Sequence, residues 1–164
     1  MGLVQRIAEK KAEVVKQWHQ TALKGFPKQS RLLLASNSDR FSNPIGFTLQ
    51  DSIDAIFAFL FCEGSAEEME TSLGRLVKLK AVQDPGSNDA LEFILPLKGI
   101  VREQAGVGSS KFQNHAELFA IEDQIDQILL KAHRIFVESR ELISQLKVNE
   151  MRNKTHGLRK IGEG

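Results

Sequence analysis

The sequence predicts an all-α fold: a single-domain helical bundle of about five major helices, ending in a long heptad-patterned helix. Three observations carry this. Apolar residues recur three or four positions apart in stretch after stretch. Gly, Pro, Ser and Asn fall between those stretches, where one helix stops and the next is capped. The last stretch keeps strict alternation of threes and fours, the spacing of a coiled-coil seam. At 164 residues the chain has the length of one domain with a real core. Its 41% hydrophobic and 26% charged residues place it among ordinary globular proteins.

From Leu3 to Leu23 one helical face carries Leu3, Val4, Ile7, Val14, Val15, Trp18, Ala22 and Leu23, and Gly25 and Pro27 close the helix. RLLLAS reads as a short helix and SNSDRFSNPIG as loop. In the corner RFSNPIGFTLQDSI, Pro44 has a fixed φ and pushes Asn43 towards extended backbone. Gly46 reads as a residue that permits an unusual backbone angle. Thr48 then stands as N-cap, with Asp51 favouring the positive helix end. Leu49, Ile53, Ile56, Phe57, Leu60 and Phe61 form the stripe behind it. The corner aims a core helix; a ligand or anion loop is the competing reading.

Gly64 ends that helix, and Ser65-Ala-Glu-Glu68 is a capping box for a third, which carries Met69, Leu73, Leu76 and Val77 to about Val82. Gln83-Asp84-Pro85-Gly86 is a turn. Ser87 caps a fourth helix through Gln104, kinked at Pro96 and loosened at Gly99. Residues 105–114 read as a joint, and Asn114 with Glu117 caps the last helix. Its seam runs Leu118, Ile121, Ile125, Ile128, Ala132, Ile135, Ser139, Leu142, Leu146, with Leu129, Phe136 and Ile143 one position on. That stripe serves a core, a second copy of the chain, or both. Residues 1–148 are therefore expected to form the domain and 149–164 a frayed polar tail. Leu60, Phe61, Leu73, Val77, Phe93, Ile125 and Phe136 are expected in the core, as are most of the ten Phe.

Little here points to catalysis. A net charge of +1 argues against a general nucleic-acid binder. Cys62, the single cysteine, excludes an internal disulfide and any cysteine cluster; its apolar run predicts a buried thiol, not a redox sensor. His19, His115, His133 and His156 are too scattered to write a metal site. Glu138 and Glu141 lack the ExxH companion of a di-iron bundle and read as a solvated face. His133, one position from the seam, raises a globin-type haem sensor as the alternative, and it is the weak cofactor candidate; no cofactor is otherwise expected. The N-terminus has no signal-peptide core, Arg6 departs from the myristoylation pattern, and no run of about 18 apolar residues is evident. A cytoplasmic, non-enzymatic protein is expected.

Three stretches together resemble the N-terminal domain of RsbRD-type RsbT co-antagonists. RFSNPIGFTL (Arg40, Phe41, Asn43, Pro44 and Gly46 within it) is similar to that family's DRFxNPVGYTL corner. LVKLKAVQD, with Gln83 and Asp84, then FILPLKGIVREQ, with Arg102 and Glu103, resemble IVRIRAVQDF…FIFLLKKIIREEL. RELISQLKVNEMR resembles REKIYELRVNEVR. Phe47 stands where tyrosine is usual, Pro85-Gly86 departs from the pattern, and Pro96 and Gly99 interrupt the fourth helix. The resemblance implies a non-haem, globin-like stressosome input domain that acts by binding. In longer relatives the last helix leads into a STAS domain; this chain reads as a free-standing module of the kind associated with sulfate reducers. A homodimer is expected, joined along Ile121, Ile125, Ile128, Ile135, Leu142 and Leu146, with a signalling protein or small ligand as partner.

Overall fold

The computed structural model describes residues 1–26, 28, 31, 41–83, 89–110, 112 and 115–162. Every regular element among them is helical: α1 (Leu3–Glu9), α2 (Lys11–Leu23), α3 (Pro44–Phe61), α4 (Ala66–Gln83), α5 (Asp89–Glu92), α6 (Pro96–Ala105) and α7 (His115–Gly162). Five of these reach ten residues or more. Residues 32–36 of the anticipated short helix at RLLLAS, Pro27, the turn residues Asp84 to Ser87 and the Asn114 cap lie outside the described residues.

The core forms where α3 packs on α4, α4 on α7, and α2 on α3 and α6. Trp18, Phe57, Ile56 and Leu73 are fully enclosed there. All seven residues named for the core are buried, but of the ten Phe only Phe57, Phe61, Phe93 and Phe136 are; Phe26, Phe47, Phe59 and Phe112 are half-buried, and Phe41 and Phe119 are exposed. By length and composition alone α3, at 18 residues, is apolar enough to cross a membrane, contrary to the expectation of no such run. In the fold its stripe from Leu49 to Phe61 packs inside the protein.

Several boundaries differ from expectation, each for a local reason. The first helix breaks at Lys10, where the chain bonds back three residues to Ile7, and both of its apolar stretches reach the core. The corner helix starts four residues before Thr48. Asn43 is its N-cap, accepting from the Gly46 N–H at 3.0 Å, and Pro44 occupies the first turn, where a missing N–H costs nothing. Thr48 lies inside the helix and donates to the Pro44 carbonyl. Asp51 is not at the helix end; it accepts from Ser72 Oγ at 2.7 Å, beside the Ser52 hydroxyl's bond to the Ser72 carbonyl.

Gly46 has no positive φ; its role is proximity. A Cβ there would stand 2.4 Å from Asn43 Nδ2. Ser65 caps α4 as expected, accepting from the Glu68 N–H at 3.0 Å. Cys62 is exposed, contrary to the buried thiol expected. It is the residue just past the end of α3, where the chain turns off the apolar stripe through Glu63 at φ 53°.

Pro96 does more than kink the fourth helix. It divides α5 from α6 by a turn at residues 93–95. Leu97 N–H bonds Ile94, and the released Phe93 carbonyl accepts from the Trp18 indole at 2.6 Å. α6 ends in left-handed Gly106, with Val107 N–H returning to Arg102.

The tail is helical, not frayed: α7 continues to Gly162. Periodicity reports burial, and burial is what ends there. Proline is absent from this stretch, and Glu150 and Lys154 pair one turn apart at 3.2 Å.

Candidate functional site

The last helix is the feature that leaves the body of the protein. At about 1.5 Å per residue, its 48 residues extend about 72 Å. Its first turn is tied down by Glu117, whose carboxylate accepts from the Leu3 N–H. Ion pairs then fix its flanks: Glu122 with Arg102 and Asp126 with Lys98 on the α6 side, Lys131 with Glu70 on the α4 side. Glu122 holds the Arg102 guanidinium above its ordinary pKa, through their hydrogen bond first and their opposite charges second. The last fully covered residue is Phe136.

The expected seam is therefore divided. Ile121, Ile125 and Ile128 are buried in the molecule's own core, and Ile135 is half-buried. Leu142 and Leu146 lie in the same register but are 58% and 59% exposed. A groove of about 680 Å³ runs between α4 and α7 towards them, lined in part by Arg75, Lys78, Lys131 and Arg134. Its lining contains no His or Cys, and with Glu70 and Glu138 also lining it the groove is of mixed charge. The sequence carried a signal for it: Arg75 and Lys78 are three apart on α4, as Lys131 and Arg134 are on α7. Only the packing of the two helices joins the pairs.

The motif positions perform separate structural tasks. Asn43, Pro44 and Gly46 build the α3 cap. Phe41, just before them, is 90% exposed. Gln83 is the last residue of α4. Arg102 joins α6 to α7, and Glu103 accepts from the Gln17 amide of α2 at 3.0 Å. Arg40 and Asp84 lie outside the described residues.

His133 is exposed on α7. His19 of α2 has its pKa lowered, chiefly by burial, with Asp54 of α3 opposing. Among the described residues no three His, Cys, Asp or Glu side chains group as a metal site would require. No family model, curated protein or solved structure matches this chain.

Proposed function

We propose that this protein is a non-enzymatic, cytoplasmic regulatory input domain that works by binding, as a homodimer joined along its last helix. The resemblance of its three motif stretches to the RsbRD-type input domain supports the regulatory reading, and with it a globin-like architecture. One observation carries the binding reading: the apolar seam of α7 leaves the core after Phe136 and continues, uncovered and in register, through Leu142 and Leu146. Two exposed leucines one turn apart cost solvation that a matching surface removes, about 25 cal/mol per Å² of apolar area covered. Asn149 and Asn153 follow at seam positions, where a polar residue selects register at some expense of stability.

The haem alternative has less support, because an axial ligand faces an enclosed pocket and its candidate, His133, is exposed. Light scattering on size-exclusion fractions tests the dimer. The expected result is twice the chain mass for the wild type at micromolar concentration and a single chain mass for Leu142→Asp/Leu146→Asp. A wild-type monomer throughout would end the dimer reading.

A further inference from the structure

Past Leu146 the apolar stripe does not continue on the seam side. It reappears on the far side of the helix as Val148, Met151, Thr155 and Leu158, spaced three, four and three. All four are exposed, Met151 at 67% and Leu158 at 70%. Thr155 donates its hydroxyl to the Met151 carbonyl, so its polar atom is satisfied within the helix. A stripe this narrow is the width of a coiled-coil seam.

The flanks of the stripe are basic on both sides. Lys147 and Lys154, seven apart, border one edge; Arg152 and Arg159, also seven apart, border the other. Lys154 pairs with Glu150, and both side chains are exposed. From Lys147 to Gly162 there are five basic residues and one acidic, while the whole chain carries a net charge of +1, so the rest of the protein is net acidic. The helix dipole accounts for Arg159 and Lys160 in the last turn, but its influence fades within that turn. It does not account for Lys147, Arg152 or Lys154.

We infer that residues 147–162 form a docking arm for a protein partner whose apolar helix or groove is bordered by carboxylates. This rests on the reading of the domain as a binding module and names the chemistry of its partner. A second copy does not fit this stripe. In parallel pairing the flanking positions five apart meet, and both meetings, Lys147 with Arg152 and Lys154 with Arg159, set like charges together. In antiparallel pairing lysine meets lysine and arginine meets arginine. A lipid surface fits less well, because an interfacial helix presents a broad face with large apolar groups such as Trp, Phe and Leu. This stripe is narrow, contains Thr155 and has no aromatic residue.

The test uses the full chain and two synthetic helical peptides of equal length. Both have isoleucine and leucine at the seam; one has glutamate and the other lysine at both flanks. Vesicles of phosphatidylcholine and phosphatidylserine are the third probe. The arm should bind the glutamate peptide at least about tenfold more tightly than the lysine peptide, with affinity falling as salt rises. Lys147→Glu/Arg152→Glu/Lys154→Glu/Arg159→Glu should reverse that preference, and Met151→Asp/Leu158→Asp should abolish binding of both. All six positions are exposed, and circular dichroism should confirm an unchanged fold. Equal affinity for the two peptides, binding to neither, or binding to vesicles but not to peptide would overturn the proposal. Light scattering on the same samples separates this from the dimer: loss of peptide binding with the dimer intact removes the arm's role alone.

Discussion

Asn43 and Gly46 share one small space, and that makes their mutational effects interdependent. Asn43→Ala removes a buried cap and should cost about 1 kcal/mol. Gly46→Ala adds a Cβ that meets the capping amide, so it should also destabilise, despite alanine's better helix propensity. In an Asn43→Ala background the obstruction is gone, and Gly46→Ala should become neutral or stabilising by up to about 1 kcal/mol. Urea melts of the four proteins measure this, and additive losses would refute the shared-space account. His19 yields a pH prediction. Burial disfavours its charged form in the fold more than Asp54 favours it, so the unfolded chain holds the proton more tightly. Its contribution is complete above the ordinary value of 6.5 and is lost as pH falls from there towards the lowered folded value. Wild type should lose more thermal stability than His19→Gln between about pH 7 and about pH 5. Parallel pH profiles would show that burial of His19 has no energetic consequence.

Among the elements, the break between α5 and α6 is tied to α2 by the Trp18 indole. At the turn before Pro96 the Leu97 N–H bonds Ile94 instead of Phe93, and the Phe93 carbonyl accepts from Trp18, far away in sequence. Trp18→Phe keeps an aromatic ring in the core but leaves the Phe93 carbonyl without that donor. A loss of about 1–3 kcal/mol in denaturant melts is expected, since a buried unsatisfied carbonyl carries its full desolvation cost. A loss under about 0.5 kcal/mol would mean that another donor or water reaches it. The Ser72 bridge to Asp51 and Ser52 fastens α3 to α4 in the same manner, with polar groups satisfied across two neighbouring helices.

Across the whole molecule, stability should fall along α7. Residues 118–136 place six side chains in the core, whereas every residue from 144 to 162 is exposed. A helix without packing is marginal at the arm's length. Native-state hydrogen exchange should therefore show amides of Ile121 to Phe136 protected to nearly the global unfolding free energy, and those of Lys147 to Gly162 exchanging far faster. Uniform protection along α7 would show that the arm is covered in solution. Binding of a carboxylate-flanked helix should slow exchange selectively in the arm.

The helical class, the long last helix, the core list and the Ser65 cap were all legible in the sequence, because spacing and capping are properties of neighbours along the chain. What α7 does with its seam was not legible. The same repeat buries Ile121 in the molecule's own core and exposes Leu146, and only the packing of α4 and α6 against α7 decides where one use ends and the other begins. The start of α3 turned on whether Asn43 or Thr48 caps, a choice between two competent residues that depends on backbone geometry. The partner found by the Phe93 carbonyl and the exposure of Cys62 were likewise decided in three dimensions. Sequence periodicity specifies which face of a helix is apolar; the presence of a neighbouring surface determines whether that face is core or interface.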